Sequence, residues 1–146
     1  MPKDGLIADW GCGTGILGTH MKEAGFTNIE GLDGSEGMLE VCKGLNIYKK
    51  LDKCLIGLEP LPAGSNNKFD GIVSSACFIP LHFTNVVFDL AHESLKVGGL
   101  MSFAARNTYL ELDNELQYMP KIQELIKAGK FEEVERIDFV KYKGIK

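Results

Sequence analysis

Apolar residues recur in two alternating spacings along the chain. Leu6, Ile7 and Ala8 form a short continuous apolar run, the pattern of a strand buried on both faces, and predict a strand near Leu6–Asp9. From Gly15 to Ala24 the spacing becomes helical, with Ile16, Leu17, Met21 and Ala24 on one side and Gly25 as the stop. Asn28–Asp33 predicts a second strand with Ile29 and Leu32 inside and Asp33 at its carboxyl end. Ser35 can cap the helix that follows, in which Met38, Leu39 and Cys42 share a face. A third strand is expected near Lys53–Ile56. Pro60, Pro62, Gly64 and Ser65-Asn66-Asn67 make a loop before a fourth strand, Phe69–Ser74. Asn85–Lys96 reads as a helix capped by Thr84, burying Val86, Val87, Leu90, Ala91 and Leu95. Gly98 and Gly99 then turn the chain into a fifth strand, Leu100–Ala105. A helix over Asn114–Ala128 and a strand over Phe131–Tyr142 complete the expectation. Strands alternating with helices predict an α/β fold, a doubly wound and mostly parallel sheet with helices on both faces.

The chemistry concentrates between the first strand and the first helix. Asp9 is followed by Gly11, Gly13 and Gly15 on alternate positions. Glycines there let the backbone take positive φ and approach a ligand closely. Strand, glycine loop and helix form the entry to a crevice at the carboxyl end of a parallel sheet. A Gly-rich turn can also serve merely as a connection, but here a second acid, Asp33, follows about twenty residues later, the spacing at which a carboxylate meets ribose hydroxyls. Asp33 could equally favour the start of the next helix through its dipole. A dinucleotide fingerprint can be read from Gly13, Gly15 and Gly18, but that register draws Asp9 and Trp10 into the strand. Read from Gly11, the sixth position is Ile16, and the third glycine is missing.

Bulk properties narrow the function classes. The 146 residues suit a single domain able to bury a core without a disulfide or metal staple. The net charge of −4, with both signs dispersed, does not suit an electrostatic nucleic-acid binder. The four cysteines, Cys12, Cys42, Cys54 and Cys77, form no C-x-x-C pair and no metal-ligand cluster with histidine, as expected of reduced thiols. Met1–Gly5 lacks the apolar segment of a signal peptide, and the stretch around Ile72–Phe83 is too short and polar to span a bilayer. A cytoplasmic protein is expected.

The run Asp9 to Gly15, D-x-G-x-G-T-G, resembles the cofactor motif of class I S-adenosylmethionine-dependent methyltransferases. Gly34-Ser35-Glu36-Gly37-Met38-Leu39, Leu61-Pro62, Phe69-Asp70-Gly71-Ile72-Val73 and Leu95-Lys96-Val97-Gly98-Gly99 are similar to that family as well, so the resemblance covers nearly the whole chain. Leu51–Leu61 and Gly98-Gly99-Leu100 look most like the methyltransferase-like proteins of the Williams–Beuren syndrome region. The resemblance implies S-adenosylmethionine as cofactor and methyl transfer to a small molecule or a protein side chain. It places the cofactor against Asp9, Gly11, Cys12, Gly13, Gly15, Asp33, Gly34, Met38, Leu58, Ser74 and Ser75, with Met38 against the adenine ring. His82, in the loop after the fourth strand, is the candidate general base, and Arg106 and Tyr109 are candidate pocket-lining residues.

The chain departs from the family pattern in several places. The acid that often follows strand three is replaced by Gly57, leaving Leu58 to pack on the ring. Ser75 to His82 is not the Asp/Asn-Pro-Pro-Tyr/Phe motif of enzymes that methylate adenine N6 or glutamine. The helices that precede strand one in the family and its last antiparallel strand have no counterpart here, so a domain truncated at both ends is expected, with a sheet edge open to self-association. Two alternatives follow: an adenosyl-cofactor-binding domain without turnover, and a nicotinamide-dependent oxidoreductase.

Overall fold

A computed structural model describes residues 1–139. Its five strands are β1 (Ile7–Trp10), β2 (Ile29–Asp33), β3 (Lys50–Lys53), β4 (Phe69–Phe78) and β5 (Leu95–Ala105). The helices are α1 (Ile16–Glu23), α2 (Glu36–Gly44), α3 (Val87–Ser94) and α4 (Tyr118–Lys127), with a 3-10 turn at Asn107–Leu110. The sheet order is β3-β2-β1-β4-β5, and every pairing is parallel. The chain winds outward from β1 to β3, then crosses to β4 on the other side of β1. The order therefore reverses between β1 and β4, and a ligand crevice opens outside the carboxyl ends there. The expected doubly wound α/β sheet is the one observed.

Side chains of β1 alternate between two cores, as strand geometry dictates. Ala8 and Trp10 join the larger one, with Leu32, Phe69, Ile72, Phe78, Phe83, Phe88 and Tyr118. Ile7 joins the smaller one, with Met21, Ile29 and Val73. Phe78 is the hub of the larger core: its ring centroid lies 4.4 Å from Phe103, 5.4 Å from Tyr118, 5.5 Å from Phe83 and 5.6 Å from Phe88. No helix among the described residues is long and apolar enough to cross a membrane.

Several boundaries differ from expectation, each for a physical reason. β3 lies at Lys50–Lys53, ahead of the expected Lys53–Ile56. It is an edge strand with charged residues toward solvent, whereas Leu55 closes the following turn by accepting hydrogen bonds from Leu58 and Glu59. β4 continues to Phe78 through a register shift after Ser75, where Ala76 takes φ +65°. β5 starts at Leu95, which pairs with Phe69, and the next pairing is Gly71 with Leu100, so Lys96–Gly99 bulge outward. α3 spans only Val87–Ser94, and the Thr84 carbonyl, not its side chain, accepts from the Val87 N–H at 3.2 Å. α4 begins at Tyr118 because Gln117 is left-handed at φ +52° and the Asn114 side chain holds a turn through Leu116 N–H. Within α1, Ile16 and Ala24 are exposed and Met21 alone of the expected apolar set is fully buried. Residues 131–139 form no strand, and Val140–Tyr142 of the expected last strand lie outside the described residues.

The packing assigns Phe78 a large share of the stability. Phe78→Ala should cost about 3–5 kcal/mol, because it removes a buried aromatic and leaves a cavity. Urea denaturation checks this; a loss below about 1 kcal/mol would show that the cluster collapses to fill the space.

Candidate functional site

β1 ends at Trp10 and the chain leaves the sheet at once. Gly11, Gly13 and Gly15 all have positive φ, at +71°, +55° and +85°. The Leu32 carbonyl accepts from the N–H groups of Gly11 (2.7 Å) and Cys12 (3.1 Å), which ties the loop to the end of β2. Two of the glycines have different environments. A Cβ on Gly11 would lie 2.2 Å from the Cys77 Sγ, so that side of the loop is filled. A Cβ on Gly13 would meet only the Met38 Sδ, at 3.8 Å, so that side is open to an incoming group. The expected strand end at Asp9 shifts by one: Asp9 and Trp10 are both strand residues.

Asp33 joins this loop to the next. Its Oδ2 accepts from Gly13 N–H and its Oδ1 from Ser35 N–H, both at 2.8 Å. An ionised carboxylate has about four acceptor sites, so roughly two remain for a diol. The Ser35 Oγ accepts from Met38 N–H at 3.4 Å and caps α2, as the sequence predicts. Both readings of Asp33, helix start and ligand acceptor, are compatible with this geometry. Apolar side chains after β2 and β3 stand in solvent: Met38 is 44% exposed, Leu55 46% and Leu58 72%. Met38 was expected on the buried face with Leu39 and Cys42; only the latter two are buried. Gly34 admits Leu55, whose Cδ2 would lie 2.3 Å from an added Cβ. Leu55 was assigned to a strand from sequence, and its place at the crevice depends on where β3 ends. Gly57, at φ +90°, turns the chain and leaves Leu58 outward.

Asp9 is not part of the open surface. It is 1% exposed, its Oδ2 accepts from the Tyr48 hydroxyl at 2.7 Å, and its Oδ1 has no partner. Burial pushes its carboxyl up to about 6, against the lowering effect of the Tyr48 hydrogen bond and with a further rise from the Asp33 charge. Tyr48 had no sequence signal as a site residue, because its partner lies 39 positions away. Cys12 and Cys42 are buried behind the loop, and the Cys42 thiol donates to the Gly13 carbonyl at 3.1 Å. Burial pushes the Cys12 thiol far up, with the Asp9 charge adding to it, so Cys12 is packing and not a nucleophile.

The remaining candidates are spread along the same edge. Ser74 is buried with its hydroxyl unpartnered, while Ser75 is exposed. His82 is exposed, and its Nδ1 lies 3.3 Å from the Pro80 carbonyl, with no carboxylate to orient the ring. Arg106 is exposed, and Tyr109 packs on the larger core. The described residues contain no group of His, Cys, Asp and Glu able to hold a metal ion.

Known proteins resemble this chain in sequence and in fold. Human methyltransferase-like protein 27 is 30% identical over 131 residues, which are 90% of this chain and 53% of that protein. The chain thus spans about half the length of that curated relative. An S-adenosylmethionine-dependent methyltransferase from Mesorhizobium loti is similar in structure, with a TM-score of 0.59, 26% identity, and coverage of 70% of this chain and 48% of that one. The [4+2]-cyclase SpnF has a TM-score of 0.62 at 15% identity, over 83% of this chain and 51% of that one, a likeness of fold alone. Residues 7–99 match the methyltransferase domain family, and the chain belongs to that family.

Proposed function

We propose that this chain, as a single domain, binds S-adenosylmethionine across the Gly11–Gly15 loop and Asp33 and transfers its methyl group to a small molecule or a protein side chain. One observation carries the reading: Asp33 spans the glycine loop and the start of α2 with acceptor capacity left over, close to the exposed side chains of Met38 and Leu55, with Leu58 exposed on the loop after β3. An acid beside an apolar shelf suits a ribose diol joined to a flat ring. The open side of Gly13 gives room for the rest of the cofactor. When bound, S-adenosylmethionine supplies an electrophilic methyl on a cationic sulfur.

The residues fit such a cation better than a pyrophosphate. Asp9 lies buried in β1 two positions before the loop, and a carboxylate there opposes a second dense negative charge. This disfavours the nicotinamide alternative, as does Ile16 in the register from Gly11; the Gly13-Gly15-Gly18 register keeps all three glycines with Asp9 and Trp10 inside β1, and the family match over residues 7–99 counts against it. The chain's part in transfer is to bind, orient and exclude water, which can supply much of the rate. A base is needed only if the acceptor must lose a proton early. His82 is the candidate for that step, Ser74 and Ser75 line the approach from β4, and Arg106 and Tyr109 line the acceptor side. The unoriented His82 ring favours a second reading, an adenosyl-binding domain without turnover on its own.

Four free thiols suit a reducing compartment and support a cytoplasmic location. The outer edge of β5, last in the sheet among the described residues, is the place at which self-association would occur.

Titration calorimetry with S-adenosylhomocysteine, and with NAD as control, tests the reading. Binding of the first alone is expected; binding of NAD alone would overturn it. Asp33→Ala should weaken the adenosyl ligand by about tenfold or more, the loss of hydrogen bonds to a charged group. Unchanged affinity would remove Asp33 from the ribose role. His82→Ala should leave this affinity within about twofold, as expected for a residue that touches the acceptor and makes no contact with the cofactor. A larger loss would move His82 into the cofactor site.

A further inference from the structure

We infer that Tyr48 is a positioning residue of the cofactor site: its ring packs behind the glycine loop, and its hydroxyl fixes the buried carboxylate from which that loop departs. The inference rests on the cofactor reading above and adds a residue that no motif marks. Tyr48 lies between α2 and β3. Two separate elements leave out a side chain to admit its ring. A Cβ on Gly18 of α1 would lie 2.2 Å from the tyrosine hydroxyl, and one on Gly31 of β2 would lie 3.0 Å from Cδ1. Gly15, at the end of the loop, stands against the same ring, with Cε2 at 3.5 Å from an added Cβ. A half-buried aromatic thus fills the space that Gly15, Gly18 and Gly31 leave beside the loop.

The hydroxyl then does what no other group near Asp9 does. It donates to Asp9 Oδ2 at 2.7 Å, while Oδ1 is buried without a partner. Asp33 on β2, Cys12 and Cys42 behind the loop, and Cys77 on β4 are the other titratable groups facing Asp9. None of them donates a hydrogen bond to it. Asp33 repels its charge, and the thiols are held neutral by burial. Tyr48 therefore holds both the direction and the charge of a side chain in β1 two residues before Gly11. Removing its hydroxyl leaves a buried carboxylate with no partner, which costs far more than losing an exposed hydrogen bond.

The sign of the pH effect follows. Burial has already raised the Asp9 carboxyl to about 6, and the Tyr48 bond acts to lower it. Without the hydroxyl, Asp9 becomes protonated at a higher pH. Affinity for a cationic ligand falls as Asp9 loses its charge, so the midpoint of that fall moves up.

The test is S-adenosylmethionine affinity from pH 5.5 to 8 for the wild type, Tyr48→Phe, Asp9→Asn and the double variant, together with hydrogen exchange of the loop amides. Tyr48→Phe keeps the ring and should fold, melting below the wild type because the Asp9 carboxylate loses its one donor. At pH 7 it should lose about five- to tenfold in affinity, a loss of about 1–1.4 kcal/mol felt indirectly through Asp9, and its pH midpoint should rise. In the Asp9→Asn background the same change should cost nothing further, because the two groups act as one unit. An unmoved midpoint with affinity changed by less than about twofold would mean that the ring only packs, and an equal loss in both backgrounds would mean that the hydroxyl does not act through Asp9; either overturns the inference. Hydrogen exchange decides independently of the ligand. Faster exchange confined to residues 11–15 in Tyr48→Phe is expected; acceleration spread over the whole sheet, or none, overturns it. Failure of the folded wild type to bind S-adenosylmethionine counts against the cofactor reading, and exchange still decides the role of Tyr48.

Discussion

The carboxyl edge of this protein depends on one turn. At Gly11 the backbone must leave β1 with positive φ while the Cys77 sulfur occupies the space a side chain would need. Cys77 reaches that position because β4 shifts register after Ser75, with Ala76 in the left-handed region. An irregularity in one strand thus sets the exit of its neighbour. From there the loop is held from β2, by the Leu32 carbonyl and the Asp33 carboxylate, and from α2, by the Cys42 thiol on the Gly13 carbonyl. The free side of Gly13 is what remains for a ligand.

The fold places that free side where a parallel sheet presents ligands. Because the order reverses between β1 and β4, the loops after β1, β2 and β3 gather on one side of the crevice and the loop after β4 on the other. The aromatic core around Phe78 underlies the β4 side, and the small cluster of Cys12, Leu39 and Cys42, with Tyr48 and Leu51 against it, underlies the glycine loop. The proposed cofactor contacts at the glycine loop, Asp33 and Met38 lie on the β1 to β3 side, Ser74 and Ser75 of that set lie on β4, and the acceptor-facing candidates follow β4 and β5. A buried carboxylate, Asp9, sits in β1 between the two groups.

What could be read from sequence was mainly what is local. Alternate glycines after an apolar run, an acid at the end of the next strand and a serine cap are all set by a few neighbouring residues, and each lies where the pattern put it. Tyr48 was illegible because its meaning comes from Asp9, distant in sequence, from Gly31, which offered no pattern of its own, and from Gly18, whose place in a glycine fingerprint says nothing of the ring it admits. Leu55 was misplaced because β3 is a charged edge strand, so the apolar residues after it resembled the strand itself. Met38 turned out exposed because helix periodicity identifies an apolar face without saying how much of it a neighbour covers. Residues 131–139 carry interleaved apolar positions but pair with no strand, so pattern alone did not secure a ladder.

The most direct measurement is amide chemical-shift mapping of the labelled chain during titration with S-adenosylhomocysteine. The account predicts that the largest changes fall on the amides of Gly11, Gly13, Gly15, Asp33–Met38 and Leu55–Leu58, because those backbones frame the open side of the loop. Changes centred instead on the surface cleft formed by Pro60–Asn66 with Leu90 and Glu93 would place the ligand elsewhere and contradict it.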